Sequence, residues 1–172
     1  MMNEMLQKIK KNKEYLDYIQ EHYMNVQAAW KEMNIKCKNE SFIYDQFICF
    51  TIDKLIKEHD LSKMSEQEFV QYRRAFHPTD EEKSKGKYDM SEAWENHKKN
   101  NPHHWENWTL KDDSGNREKE VDCICMVVDW MAMGYKFGDT PREFYESKKD
   151  TIILPDWAIE FIYSIFDLLE AK

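Results

Sequence analysis

Glycine and proline are scarce, with four of each in 172 residues. A β-sandwich or barrel needs a turn about every 8–12 residues, usually built on Gly, Pro or Asn-Gly. The shortage excludes both. Gly86, Gly115, Gly134 and Gly138 are scattered and match no phosphate-cradling or dinucleotide glycine pattern, which excludes Rossmann and P-loop folds. No apolar run approaches the ~18 residues that mark a membrane-spanning helix. The first residues, MMNEMLQKIKKNKEY, lack the continuous apolar stretch of a secretory leader. Cations are outnumbered: 25 Lys and Arg against 33 Asp and Glu leave a net charge of −8. A non-specific nucleic-acid binder carries a basic face, so that class is disfavoured. Cys37, Cys49, Cys123 and Cys125 form no C-x-x-C pair and read as reduced thiols of a cytoplasmic protein.

What is present is apolar and aromatic material at helical spacing. Aromatics make up 14% of the chain, too many for a disordered polymer, and the length suits one domain. Tyr15, Leu16, Ile19, Tyr23, Val26 and Trp30 recur at 3–4 spacing and predict a helix over 3–34. A second helix is expected over 41–59 with Ser41 as its N-cap. Ser65 and Glu68 have the S-x-x-E spacing of a capping box opening a third helix, which Pro78 ends. TDEEKSKGKYD reads as a solvated loop, 91–100 as a short helix, HHWENW as a compact turn and LKDDSGN as a second loop. An apolar helix over 117–136 follows, then one started by Thr140-Pro141 and a last one over 155–170. The expectation is a single all-α domain, residues 1–172, of about seven helices, with no internal boundary.

Polar residues in apolar settings are the candidates for chemistry. His22 shares the apolar stripe of the first helix and is either a hydrogen-bonded core residue or a ligand. Asp129 sits in CMVVDWMAM with apolar neighbours, so its carboxylate must meet a cation, a metal or several donors. His59 and Asp60 are adjacent at the end of the second predicted helix. His97, His103 and His104 fall within eight positions in HKKNNPHHWENW, although the chain has only six histidines. A solvated polar turn whose tryptophans cover the core is the competing reading.

The ordered set His22, His59-Asp60, His97, His103-His104, Asp129 resembles the H…HD…H…H…D pattern of the HD-domain superfamily. HDLSK resembles that family's HD-x-x-K form, with Lys63 at the lysine position. More narrowly, HDLSK, AWENHKKNNPHHWENW and DWMAMGYKFGDTPREFY are similar to a bacterial and phage family of HD-like proteins, over roughly residues 15–165. The resemblance implies an all-helical bundle and a metal-dependent phosphohydrolase acting on a nucleotide or another small phosphorylated compound.

For a single ion the implied ligands are His22, His59, Asp60 and Asp129. For two ions, Asp60 would bridge to a second held by His97 and His103 or His104. Nitrogen and carboxylate donors without thiolate suit Mn, Fe, Co, Ni or Zn. A metal of this kind makes hydroxide available near neutral pH. Lys63 would neutralise phosphoryl charge beside Asp60. Arg73, Arg74 and Lys136 are candidate phosphate contacts, against a reading as ordinary surface charge. Trp105, Trp108 and Tyr135 are assigned to the core. Two other functions stay in view: a phage or bacterial binding protein that sequesters a nucleotide or host protein, and an HD-like di-iron oxygenase.

Overall fold

The computed structural model describes residues 3–108 and 117–171. Among them there are helices and no strand, as the glycine shortage requires. In chain order they are α1 (Glu4–Lys36), α2 (Ser41–Tyr44), α3 (Gln46–Lys57), a 3-10 turn (Leu61–Met64), α4 (Phe69–Phe76), α5 (Asp80–Ser84), α6 (Ser91–Asn100), α7 (Trp105–Trp108), α8 (Arg117–Phe137), α9 (Pro141–Lys148) and α10 (Asp156–Glu170). The total exceeds the expected seven because short turns of helix occupy stretches read as loop, and because one expected helix is split. LKDDSGN lies outside the described residues. No helix among the described residues is long and apolar enough to cross a membrane.

The described chain divides into two compact units. The second comprises Met24–His59 and Pro102–Lys172. Its α8 is buried almost all round, at Val121 and from Cys123 to Val128 and Trp130 to Ala132, as a helix apolar on every face should be. Ile48, Ile52 and Ile56, four residues apart, give α3 one apolar stripe. Ala158, Ile162, Ile165, Phe166 and Leu169 do the same for α10. These stripes join one core with Val26, Met33 and Tyr145.

The single helix expected over 41–59 is interrupted at Asp45. Its carboxylate accepts from the Phe47 and Ile48 amides at 3.1 and 3.3 Å, so Asp45 caps a new helix, while Ser41 is the first residue of α2 and caps nothing. Thr140, just before Pro141, forms a capping box with Glu143, in agreement with the expected start of α9. At the end of α8, a Cβ on Gly134 would collide with the Asp139 carbonyl oxygen, and Gly138 takes φ +87°. Burial raises the Cys37 thiol to about 11 and also pushes up Cys123 and Cys125. All four cysteines are free thiols.

The first unit comprises Met1–Tyr23 and Asp60–Asn101. Its apolar centre is small: Tyr15, Tyr72 and Ala93, packed by Tyr18, Ile19, Phe69, Met90 and Trp94. Leu16 and Tyr23 turn outward, because the buried stripe of α1 runs through Tyr15, His22, Val26 and Ala29 instead. The supposed loop TDEEKSKGKYD contains α5. Thr79 and Glu82 close a capping box there, and the Arg73 guanidinium beside Glu82 holds that carboxyl down at about 2.

The Ser65–Glu68 capping box does not form. Ser65 closes the 3-10 turn with its hydroxyl unpaired, the Phe69 amide bonds the Ser65 carbonyl instead, and the Glu68 side chain is directed inward.

Candidate functional site

His59 and Asp60 follow the end of α3, and the backbone reverses there. Asp60 adopts φ 58°, the one positive φ outside glycine among the described residues. Aspartate tolerates this left-handed conformation better than most residues, yet it still carries a cost of about 1–3 kcal/mol, a pattern that concentrates at functional positions. The Lys63 amide then bonds the Asp60 carbonyl at 2.9 Å, and the resulting 3-10 turn brings the Lys63 ammonium back to the Asp60 carboxylate at 2.5 Å.

In the first unit, Asp60 is buried between two imidazoles. His22 Nε2 lies 3.4 Å from Oδ2, and His97 Nε2 lies 3.2 Å from Oδ1. His22 is held by stacking on Tyr18, one helical turn earlier, with ring centroids 6.4 Å apart. His97 is only 2% exposed and sits in the last turn of α6, where the helix dipole favours positive charge. Tyr72 meets the His97 ring edge-on.

The opposite nitrogen of His97 faces a polar network that sequence reading missed. Nδ1 is 2.8 Å from Glu68 Oε2, and Glu68 is fully buried. Asn96 donates to Glu68 Oε1 at 2.7 Å, while Ser62 donates to Oε2 at 3.0 Å. Asn101 in turn donates to Ser62 Oγ and to the His97 carbonyl. Glu68 was hidden because S-x-x-E is also a helix-capping signal; Asn101, four residues after His97, carries no signal at all.

In the second unit, His59 Nε2 lies 3.4 Å from Asp129 Oδ1. The His59 ring stacks on His103 at 4.2 Å between centroids, and His104 follows at 4.4 Å from His103. Asp129 keeps about a fifth of its side chain exposed, less buried than its apolar neighbours in sequence suggest, because it shares with Asp122 and Met133 a strip of α8 that is only half-buried. Trp105 packs against the core as expected. The side chain of Trp108 lies outside the described residues.

The phosphate-contact candidates fare differently. Arg73 is buried and both of its terminal nitrogens bind Glu82, so its charge is already committed to folding the α4–α5 corner. Arg74 also reaches Glu82, at 3.2 Å, and lies over the Tyr88 ring. It lines a cleft of about 470 Å³ in the first unit, with Lys8 and Lys87 but none of the histidines. Lys136 is exposed on the last turn of α8. Tyr135, assigned to the core from sequence, is 46% exposed because its hydroxyl donates to Glu32 at the surface.

Each unit thus offers imidazole nitrogens and a carboxylate at short range, a donor chemistry suited to a divalent transition metal. No curated protein and no solved structure matches the chain. One family model matches residues 11–167, nearly the whole length, and by that match the chain belongs to a family of unknown function, DUF5662.

Proposed function

We propose that the protein is a metal-dependent phosphohydrolase of the HD-domain type, acting on a nucleotide or another small phosphorylated compound. One observation carries this reading: a buried aspartate in left-handed conformation, with a histidine Nε2 at 3.2–3.4 Å from each carboxylate oxygen and a lysine three residues on. The candidate ligands are those the resemblance implies: His22, His59, Asp60 and Asp129, with His97 and His103 or His104 for a second ion. A bound divalent cation supplies Lewis acidity toward a phosphoryl oxygen and lowers the pKa of water. Asp60 holds its neighbouring imidazoles in register and fixes the direction of the Lys63 ammonium. Lys63 is about 15% exposed at its side chain, dry enough for its charge to count against a phosphoryl oxygen.

Metal content of protein purified without chelator tests the first part. At least one equivalent of Mn, Fe, Co, Ni or Zn is expected, and the melting temperature should rise as RT ln(1 + [L]/Kd) when the stripped protein is resupplied. Protein that neither retains nor responds to any of these metals overturns the reading. A phosphate-release screen over nucleotides and cyclic dinucleotides tests the second part. Asp60→Ala should abolish both metal retention and turnover. Lys63→Ala should keep the metal and lose about 10²–10³ in rate. Equal loss of metal in both variants would reverse the assigned roles.

A second reading assigns the same nitrogen and carboxylate donors to a pair of irons, as in an HD-like di-iron oxygenase. Oxygen consumption by Fe(II)-loaded protein, without phosphate release, would favour it.

A further inference from the structure

We infer that Glu68 is a positioning residue that fixes the tautomer of His97 and so decides which nitrogen of that ring is available to a cation. The inference rests on the metal reading above only for its consequence; the tautomer itself follows from hydrogen-bond bookkeeping. Around Nδ1 stand Glu68 Oε2 at 2.8 Å, Asn101 Nδ2 at 3.1 Å and Ser62 Oγ at 3.2 Å. The Asn101 amide is used on Ser62 Oγ at 2.7 Å and on the His97 carbonyl at 2.8 Å. Ser62 Oγ, having accepted from Asn101, gives its own proton to Glu68 Oε2. The shortest contact of Nδ1 is therefore to a carboxylate, which can only accept. An unprotonated Nδ1 there would set one lone pair against another in a fully buried place. A protonated Nδ1 satisfies both groups.

With the Nδ1 proton on the Glu68 side, Nε2 is the nitrogen that faces Asp60 Oδ1 at 3.2 Å. Nitrogen lone pair and carboxylate oxygen repel at that separation unless a proton or a metal ion lies between them, and a bound cation takes the place of that proton. Metal-binding histidines commonly present one nitrogen to the ion while the other donates to a carboxylate, which sets ring orientation and raises ligand basicity. Asn96, on the other Glu68 oxygen at 2.7 Å, keeps the carboxylate plane from rotating away. Glu68 touches neither Asp60 nor a substrate in this scheme. It acts through His97.

The test uses full-length protein labelled with ¹⁵N at histidine, with Zn(II) as the diamagnetic probe. In the wild type, Nδ1 of the His97 ring should carry a proton both without and with metal, and Zn(II) should shift Nε2 by taking the place of any proton held there against Asp60. Glu68→Gln keeps the volume but replaces the pure acceptor with an amide, so the ring proton should move in part to Nε2, and Zn(II) affinity should fall about 10–100-fold. Wild-type tautomer and wild-type affinity in Glu68→Gln would overturn the inference. So would a loss of affinity with the tautomer unchanged, since that is what a merely structural role produces.

If Glu68→Gln does not fold, Ser62→Ala decides instead. It removes one donor to Glu68 and should weaken Zn(II) severalfold with a partial tautomer shift, whereas no change in either overturns the inference. A wild type that binds no Zn(II), but whose His97 tautomer still depends on Glu68, would separate failure of the metal reading from failure of this one.

Discussion

The largest buried side chains of the second unit are hydrocarbon, while those of the first carry polar atoms. Among the largest completely buried side chains, Phe166, Met33, Ile52, Ile56, Ile124, Ile162, Ile165, Val26 and Val127 belong to the second unit, and every one is apolar. Tyr15, His97 and Glu68 are those of the first, and every one carries a polar atom. Burial of apolar area is non-directional, so the second core is set by volume and stripe geometry. A buried carboxylate or imidazole is tolerated only when its partners stand at the correct angles. Around Glu68 and His97 the first unit is therefore specified by a network in which each member needs the others. Such interiors suit chemistry, because they hold charge in fixed directions.

The sharpest way to break this contrast is to remove volume from one unit and polarity from the other. Phe166→Ala should cost about 3–5 kcal/mol through the cavity it leaves. Ile162→Met, which keeps volume and apolarity, should cost less than about 1.5 kcal/mol. Glu68→Leu also keeps volume roughly, yet should cost about 3 kcal/mol or more, since it strands the donors of Ser62, Asn96 and His97. Urea unfolding of the variants compares them. A mild Glu68→Leu would mean that the first unit is held by packing after all.

Acid should separate the units next. Glu82 has its folded value lowered to about 2, chiefly by Arg73. A depressed carboxyl contributes stability that is fully present above its unfolded value and disappears as pH falls through the folded one. The α4–α5 corner should thus weaken between about pH 4.5 and 2, with a slope of up to ~1.4 kcal/mol per pH unit for this one proton. Hydrogen exchange of α4 and α5 amides across that range measures it, and Arg73→Met should abolish most of the dependence.

The smallest expected effect is at Tyr15. Its hydroxyl is buried without a hydrogen bond, and burial together with the nearby Tyr72 and Asp60 pushes the phenol up. Tyr15→Phe should leave stability unchanged or raise it by up to about 1 kcal/mol. A loss greater than that, in differential scanning calorimetry, would reveal a partner for the hydroxyl.

Periodicity and scarcity were enough for the helical class, for α6 and α8–α10, and for the candidate histidines and aspartates, because a 3.6-residue stripe and a missing glycine are local facts. His22 was legible as an inward residue for the same reason. Sequence alone did not separate helix cap from buried hydrogen-bond partner: Ser65-x-x-Glu68 satisfies the local rule for a cap, but the carboxylate is bound by Asn96 and His97, 28 and 29 residues away. Nor could it foresee that Arg73 would be consumed by Glu82, or that Asp45 would start a new helix inside an apolar run. Each of these outcomes is a competition between a nearby partner and a distant one. Local spacing can name the contestants, but only the folded chain fixes the distances at which a hydrogen bond or ion pair wins.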